Sequence, residues 1–377
     1  MSYVYVDEAF VAQTKEAIMR GDARYDAVRK HLIAQATEWS GKGPWRITDW
    51  PSPAASGNLH DYFSEGPYWW PNPDDPDGPY VRRDGEFNPN TFTAHLKALY
   101  AVCDSVKALA LAGYYLDEPK WARKAAEIVY AWFLDPKSRM NPHLEYGQAI
   151  RGRCEGRGIG IIDTNCLVGL VHALSFLERT GEWLDAQREG MRAWLHDYLT
   201  WMSQSEKGLD EKRRRNNHGT YWAVQAGTYA AYLGEYQVVD EAIEIYQTRL
   251  VPMQIDPSGA QPHEEARTRS LSYSVMNAEG LALLCELGRL RGVDLWTYED
   301  GSGRGIKQVV HYLAPYIAEP GKWTKQQIVD PQLGPQLFLH WAALRLGEPA
   351  FAAINDAKEG VGSSLLGPLA LLPGGSA

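Results

Sequence analysis

The sequence predicts an all-α fold, an (α/α) toroid of about six or seven helical hairpins with a long proline-rich lid loop. Three observations predict it. From about residue 91 onward, apolar residues recur at three- and four-residue steps, as they do on one face of a helix. Residues that end helices return at a regular interval along the chain. Strand patterns are weak throughout.

The first predicted hairpin lies in residues 93–134. Its first helix covers residues 93–115, where one face is formed by Leu96, Leu99, Tyr100, Cys103, Val106, Leu109 and Ala110. The second helix covers residues 121–134 and has Pro119 near its first turn, a position that tolerates proline.

Segments similar to the turn that ends this first helix recur along the chain. We take as its markers Asp117, Gly181, Gly234, Gly292 and Gly347, which are 53 to 64 residues apart. Each interval has room for two helices, and hairpins with a fixed period bury their apolar faces by stacking on their neighbours. Long polar loops at residues 135–165 and 205–217 favour closure of the array into a toroid. We expect residues 1–377 to form a single domain.

Residues 45–90 depart from the helical pattern, because their many prolines and glycines exclude a regular helix. A loop of this length within a compact domain is usually functional. We interpret it as a lid or cleft wall, and a structural strap that packs its rings on the barrel rim is the alternative. Its candidate substrate-binding residues are Tyr68, Trp69, Trp70, Arg82 and Arg83.

Composition excludes several classes of protein. The 377 residues carry a net charge of −9, so we expect neither nucleic acid nor an anionic membrane as a partner. The sequence contains no run of eighteen apolar residues, so it predicts no transmembrane helix. The 14 Trp and 21 Tyr against 8 Phe suit a sugar-binding groove, or a helical core with polar-tipped rings.

The four cysteines are widely scattered, without metal-finger spacing. Three of them, Cys103, Cys166 and Cys285, lie in apolar helical stretches, which favours buried free thiols over disulfides. The first ten residues have no basic segment followed by an apolar one, so they predict no secretion signal.

Nucleotide and serine-hydrolase motifs are absent from the sequence. His143 with Glu145, and His263 with residues 264–265, lack the spacing that places two metal ligands on one helical face. We therefore expect no metal and no cofactor.

The strongest local signal is RRRNNHGTYW at residues 213–222, where three arginines lead into Asn217 and His218 at the start of an apolar helix. Asparagine is a good helix cap, and the free N–H groups of a helix start face anions. The alternative interpretation is a capping Asn with a packed His. Trp222 follows within the same helix as a further candidate.

A second signal is HEEARTRSLSY at residues 263–273. Arg269 and Tyr273 are four residues apart and can point to one place from a helix, and Arg267 could reach it from the adjoining loop. A guanidinium favours the ionised form of a neighbouring phenol and binds carboxylates, so Tyr273 is a candidate for proton transfer.

A third cluster lies between residues 140 and 157. It combines polar, aromatic and basic side chains, as a subsite for an acidic sugar would. Its candidate substrate-binding residues are His143, Glu145, Tyr146, Gln148 and Arg157.

Four segments together resemble the alginate lyase superfamily of polysaccharide lyases: NNHGTYW, ARTRSLSY, MNPHLEYGQ and GPYWWPNP. The resemblance is closest to polysaccharide lyase family 38 and more distant to family 5, and it covers about residues 60–345. It implies an (α/α) toroid and β-elimination of a 1,4-linked polyuronate. Glucuronan is placed slightly ahead of alginate as the substrate.

The resemblance also implies roles for particular residues. Asn217, His218, Arg267 and Tyr273 match active-site positions, and Glu211 matches a position that orients the histidine. The spacing from Arg to Tyr is one residue longer in family 5, so Arg267 and Arg269 both remain candidates. A polyuronate substrate implies a periplasmic or secreted enzyme.

These residue types suit the chemistry, because lyase action needs a cation or amide on the uronate carboxylate, a base for C5–H and an acid for O4. Two alternatives remain open. One is an (α/α)-barrel glycoside hydrolase, with candidate carboxylates Asp163, Glu211 and Glu265. The other is a protein that binds uronates without cleaving them.

Overall fold

The computed structural model describes residues 3–358, which form two compact units. Among these residues, unit 1 comprises residues 3–210 and Tyr232–Gly234, and unit 2 comprises Glu211–Ala231 and residues 235–358. Regular structure in both units is predominantly helical, which confirms the predicted all-α class. The single domain over residues 1–377 stays a prediction.

Unit 1 is built around a long central helix. Its helices are α1 (Glu8–Met19), α2 (Asp26–Ser40), α3 (Ala94–Tyr115), α4 (Pro119–Val129), α5 (Leu167–Leu177) and α6 (Asp185–Gln204). Helix α3 packs against α2, α4 and α5. The pair α1 and α2 lies before the predicted helical region. The apolar face of α2 is narrow, because this helix buries only Leu32 and Ala36, and periodicity therefore gives little signal there.

The predicted apolar face of α3 is largely confirmed. The residues of that face that are fully buried are Leu99, Cys103, Val106, Leu109 and Ala110. Leu96 is half-buried. Tyr100 was wrongly placed in this face, because it is 38% exposed and its hydroxyl donates to Asn165 Oδ1 at 3.0 Å.

Residues 45–90 contain no α-helix, as predicted, and hold three of the short strands. The strands are β1 (Phe63–Glu65), β2 (Trp69–Trp70), β3 (Val81–Arg82) and β4 (Tyr146–Ala149). Strand β1 pairs with β4 in parallel, and β2 pairs with β3 in an antiparallel hairpin that places Trp69 opposite Arg82. The segment is therefore tied to residues 146–149. Its function as a lid stays a prediction.

Unit 2 is also centred on one long helix. Helix α7 (Glu206–Lys212) crosses the boundary between the units. It is followed by α8 (Asn217–Leu233), α9 (Tyr236–Ile245), α10 (Val251–Gln254), α11 (Pro262–Glu265), α12 (Ser270–Leu290), α13 (Ile306–Ala318), α14 (Leu337–Arg345) and α15 (Pro349–Asp356). Helix α12 contacts α9, α11, α13 and α14. Residues 205–217 were predicted as a loop, but they contain α7.

The predicted hairpin turns are confirmed by their backbone. All five markers adopt positive φ, with values of 55° at Asp117, 75° at Gly181, 82° at Gly234, 71° at Gly292 and 69° at Gly347. Four of them stand one or two residues after the end of a helix, where this left-handed conformation closes the last turn, and Gly181 lies in the bend that follows α5. Within residues 3–358 six pairs of helices alternate with such turns or loops: α1–α2, α3–α4, α5–α6, α8–α9, α12–α13 and α14–α15.

A buried carboxylate joins three parts of unit 2. Glu286 of α12 is fully buried and accepts hydrogen bonds from Arg289 Nε at 2.8 Å and from Trp296 Nε1 at 2.9 Å. Arg345 of α14 donates to both of its oxygens, at 3.0 and 3.1 Å. Since each oxygen has two donors, the charge of Glu286 is satisfied inside the core.

All four cysteines are free, and Cys103, Cys166 and Cys285 are buried as predicted. The Sγ atoms of Cys103 and Cys166 lie 3.3 Å apart in unit 1. In the part of the chain that the structure describes, no single helix has the length and apolar character to cross a membrane. The bent pair of residues 158–164 and α5 passes by composition, and α5 is buried throughout.

Candidate functional site

The start of α8 displays two of the predicted residues side by side. Asn217 and His218 are the first residues of the helix, and the carbonyl of Asn216 accepts from Gly219 N at 2.9 Å. A β-carbon at residue 219 would lie 2.2 Å from the carbonyl oxygen of Arg214, so only glycine fits this tight turn. The three arginines at residues 213–215 are exposed.

Glu211 holds the imidazole of His218, as the resemblance implied. Its Oε1 lies 2.7 Å from His218 Nδ1, and Glu211 is 1% exposed. A carboxylate can only accept, so Nδ1 carries the hydrogen of this bond and Nε2 is left on the other side of the ring. The pair therefore fixes the ring so that Nε2 is the nitrogen available for proton transfer.

Asn217 is held by a second buried carboxylate. Glu264 of α11 accepts from Asn217 N at 2.6 Å and from Asn217 Nδ2 at 2.8 Å. Burial raises the pKa of Glu264, and the two bonds from Asn217, together with the charges of His218 and Arg267, act in the opposite direction. Sequence reasoning considered Glu264 only as a poor metal ligand and missed this contact.

Arg267 and Tyr273 lie against each other. The guanidinium of Arg267 is 4.2 Å from the centre of the Tyr273 ring. The backbone N–H of Arg267 donates to the carbonyl of Glu264 at 3.0 Å, which connects this pair to Asn217. Arg269 instead precedes α12, where its carbonyl accepts from Tyr273 N at 3.0 Å and its backbone bridges to Gln327. The guanidinium of Arg267 thus lies over the phenol ring.

A buried amide network lies under the start of α8. Gln254 donates to the carbonyl of Asn216 at 3.1 Å and accepts from Thr220 and Asn277, both at 2.9 Å. Asn277 also donates to Gln261 at 2.7 Å. These residues fix the backbone that carries Asn217 and His218. Periodicity cannot find them, because the spacing of apolar residues does not show which polar side chains meet.

Trp222 lies in the core of unit 2. It is 1% exposed, and Lys212 Nζ sits 4.7 Å from its ring centre. The ring packs inside unit 2 and supports α8 from there, and its contact with substrate stays a prediction.

The predicted aromatic residues of unit 1 are interleaved with arginines. Arg153 and Arg157 lie 5.1 and 5.8 Å from the Trp69 ring, and Arg83 lies 4.9 Å from the Trp70 ring. Tyr68 packs on Phe87, and Arg82 pairs with Asp84. Arg82 and Arg83 are exposed, and Tyr68, Trp69 and Trp70 are half-buried. The hairpin of β2 and β3 thus combines ring faces with cations, a combination suited to acidic sugars.

The residues from His143 to Arg157 form a polar network in unit 1. His143 Nε2 lies 3.2 Å from Asp61 Oδ1 and its ring is 6.5 Å from that of Tyr146. Glu145 accepts from Trp201 Nε1 at 2.7 Å and pairs with Lys207. Burial raises the pKa of Glu145, but the bonds from Lys207 and Trp201 outweigh it and lower that pKa overall.

Gln148 links the third cluster to the core of unit 1. It accepts from Arg157 Nη2 at 3.0 Å and donates to Asp163 Oδ1 at 2.9 Å. Asp163 is buried and also accepts from Tyr62 and Ser64. Three donors hold this carboxylate in place, so it is a structural anchor and a poor candidate for hydrolase chemistry.

No group of three or more His, Cys, Asp and Glu side chains within residues 3–358 is arranged to hold a metal ion. The geometry of unit 2 provides an imidazole, an amide, a guanidinium and a phenol on one continuous set of contacts. Such a set can neutralise a carboxylate and transfer protons.

Comparison with known proteins shows the family of the chain. Residues 46–323 match the family model for alginate lyase. The crystal structure of an alginate lyase from Bacteroides ovatus is 31% identical over 98% of each chain, with a TM-score of 0.90. No curated protein matches the chain.

Two structures of alginate lyase A1-III from Sphingomonas species A1 are similar to this chain in fold, at an identity too low to show more than the fold. The enzyme itself is 15% identical, covering 84% of this chain and 87% of that one, with a TM-score of 0.54. A variant of A1-III complexed with tetrasaccharide is also 15% identical, with the same TM-score. These likenesses confirm the predicted fold class of the (α/α) toroid type, and the finer placement in family 38 stays a prediction. With a family model that covers most of its length, the chain belongs to the alginate lyase family.

Proposed function

We propose that the protein is a polysaccharide lyase that cleaves an alginate-type polyuronate by β-elimination. One observation carries the proposal: a continuous set of contacts joins the Glu211–His218 pair, the Asn217–Glu264 pair and the Arg267–Tyr273 pair within unit 2. The family match and the similarity to an alginate lyase support the same reaction.

In the proposed reaction, Asn217 and Arg267 act first on the uronate carboxylate. The C5 proton is only weakly acidic while that carboxylate is fully charged, because removal of the proton places a second negative charge beside the carboxylate. An amide N–H and a guanidinium stabilise this developing charge. Arg267, rather than Arg269, is proposed for the role because its guanidinium lies beside the Tyr273 ring.

His218 and Tyr273 are proposed for the proton transfers. A base takes the proton from C5, and the electron pair of the C5–H bond forms the C4–C5 double bond. The C4–O4 bond breaks, and O4 leaves with a proton from the acid. In mannuronate and glucuronate, C5–H and O4 are on the same side, so the phenol can serve as base and then as acid. In guluronate they are on opposite sides, and Nε2 of His218 is then the base.

The aromatic and basic residues of unit 1 are proposed as substrate contacts. The rings of Trp69 and Trp70 offer faces to sugar rings, and Arg82 and Arg83 offer exposed cations to carboxylates. We extend this proposal to Tyr68, His143, Glu145, Tyr146, Gln148 and Arg157. The proposed partner is an acidic polysaccharide.

An absorbance assay tests the function. We expect the protein to generate a 4,5-unsaturated uronate, which absorbs in the ultraviolet, from at least one of polymannuronate, polyguluronate and glucuronan. New reducing ends without absorbance would indicate a glycoside hydrolase. Binding without either product would indicate a non-catalytic protein. The assay also determines which polymer is preferred.

Replacing His218 by Ala tests the division of roles between histidine and tyrosine. We expect activity on polyguluronate to fall by about 10² to 10⁴, the usual contribution of a positioned base, and activity on polymannuronate or glucuronan to fall less. The matched control is His311→Ala, which removes an exposed histidine paired with Glu348. An equal loss on all three polymers would contradict this division.

We further propose a periplasmic or secreted location. The support for it is the substrate class alone, because a polymeric polyuronate implies an enzyme that acts outside the cytoplasm. Cell fractionation with activity measured in each fraction tests it.

A further inference from the structure

We propose that Glu264 is a positioning residue that fixes the orientation of the Asn217 amide toward the substrate carboxylate. This inference rests on the proposed function. It concerns a carboxylate that has no role in the proton transfers described above, and it assigns to Glu264 control over which atom of Asn217 meets the substrate.

The contact between the two residues is bidentate and buried. Both oxygens of Glu264 are engaged, Oε1 by the backbone N–H of Asn217 at 2.6 Å and Oε2 by its Nδ2 at 2.8 Å. Glu264 is 1% exposed and Asn217 is 2% exposed. Hydrogen bonds to a charged acceptor in such surroundings are among the stronger ones in proteins.

The orientation of this amide decides what it can do. A carboxamide has a donor end and an acceptor end of nearly equal size, and without a partner it can turn either toward a ligand. Only the N–H end stabilises a carboxylate, and the oxygen would repel it. Because a carboxylate only accepts, Glu264 holds Nδ2 on its own side and leaves the second N–H of that nitrogen in a fixed direction.

The surroundings keep Glu264 itself in place. It lies in α11, where its N–H donates to the carbonyl of Gln261 at 2.9 Å, and its own carbonyl accepts from Arg267 N at 3.0 Å. Gln261 is in turn bonded to Asn277 of the amide network. The backbone that carries Glu264 is therefore connected to both Asn217 and Arg267, the two groups proposed to bind the substrate carboxylate.

A purely structural role would also place an anion at this position, because the start of a helix attracts negative charge. The two roles differ in what a replacement does. With Gln at residue 264, the side-chain oxygen of the glutamine can still accept from Asn217 N. The NH2 group of the glutamine, however, then faces Asn217 Nδ2, and two donors cannot form a hydrogen bond with each other. The Asn217 amide must then turn over, which exchanges its donor and acceptor positions and leaves the helix start capped.

The test compares Glu264→Gln with Glu264→Asp. Glutamine matches Glu in size but can donate, whereas aspartate is shorter but only accepts. We expect both variants to fold, as judged by circular dichroism and thermal unfolding. We expect kcat/KM to fall by about 10² to 10³ in Glu264→Gln, as on loss of an oxyanion donor, and by clearly less in Glu264→Asp. If packing alone mattered, glutamine would be the milder change, and that order would overturn the inference.

A double-variant comparison separates action through Asn217 from any other effect. In an Asn217→Ala background, Glu264→Gln should change kcat/KM by less than about threefold, because there is no amide left to orient. The same large loss in both backgrounds would overturn the inference.

Binding distinguishes failure of this inference from failure of the proposed function. Calorimetry in a Tyr273→Phe background, with an oligosaccharide of the preferred polymer, measures binding with little turnover, and there we expect Glu264→Gln to weaken binding by about tenfold or more. If the wild-type protein binds the oligosaccharide but does not cleave it, the proposed function falls and this binding comparison alone decides the role of Glu264. If the wild type neither binds nor cleaves oligosaccharides of any of the three polymers, both proposals are overturned.

Discussion

Replacing Tyr273 by Phe should lower turnover by about 10² to 10⁴ while leaving the fold intact, because a positioned acid or base contributes that much to a reaction. The variant keeps the ring, and so keeps its contact with the Arg267 guanidinium, 4.2 Å from the ring centre. Only the hydroxyl that would transfer protons at C5 and O4 is lost. Steady-state absorbance kinetics on the preferred polymer, together with thermal unfolding, measure both expectations.

The matched control for this substitution is Tyr236→Phe. Tyr236 also packs under an arginine, with Arg291 4.9 Å from its ring centre, but it is 43% exposed at the start of α9. This control should retain full activity. A folded Tyr273→Phe protein with more than about a tenth of wild-type turnover would remove Tyr273 from the mechanism, since a loss that small is below the contribution of a general acid or base.

The largest effect on stability is expected at Glu286. Changing it to Ala removes the acceptor of four hydrogen bonds and leaves Trp296 Nε1, which is buried, without its partner. Arg289 and Arg345 are partly exposed and can regain water, so the loss should lie at the low end for a broken buried ion pair, about 3 kcal/mol in the free energy of unfolding. Urea denaturation followed by circular dichroism measures it.

Glu319→Ala provides the comparison for this loss. Its ion pair with Lys322 is formed by side chains that are both more than half exposed, and exposed pairs of this kind contribute little. The midpoint of its unfolding should stay close to that of the wild type. If the two variants unfolded at the same urea concentration, the Glu286 cluster would not be a major source of stability in unit 2.

The turns between helices were predictable because each needs a residue of a particular kind. A helix that ends in a left-handed residue favours glycine, and four of the five predicted markers are glycine. The fifth, Asp117, was found only because the flanking pattern repeats. By contrast, α2 buries only Leu32 and Ala36, which are too few to give a period, and helix α7 is too short to show one.

The candidate site was predictable to a different degree at each residue. Asn217, His218 and Tyr273 stand in distinctive segments, and the partner of His218 lies only seven residues before it. The partner of Asn217 is 47 residues away, and nothing in HEEARTR distinguishes Glu264 from Glu265. Which of two adjacent carboxylates faces the amide is decided by the turn of α11, a tertiary property that a single sequence does not display.

The connections within the helix pairs differ from the connections between pairs, and this difference affects how such a chain can diverge in evolution. Several connections within pairs are short, such as residues 116–118, 234–235 and 346–348, and they carry none of the candidate residues. The connections between pairs and the first turns of the helices that follow carry all of them except Trp222. Insertions and substitutions that alter substrate preference can therefore accumulate in one set of segments while selection for stability acts on the other. Relatives with little sequence identity would then keep the helix pairs and differ in the polymer they recognise.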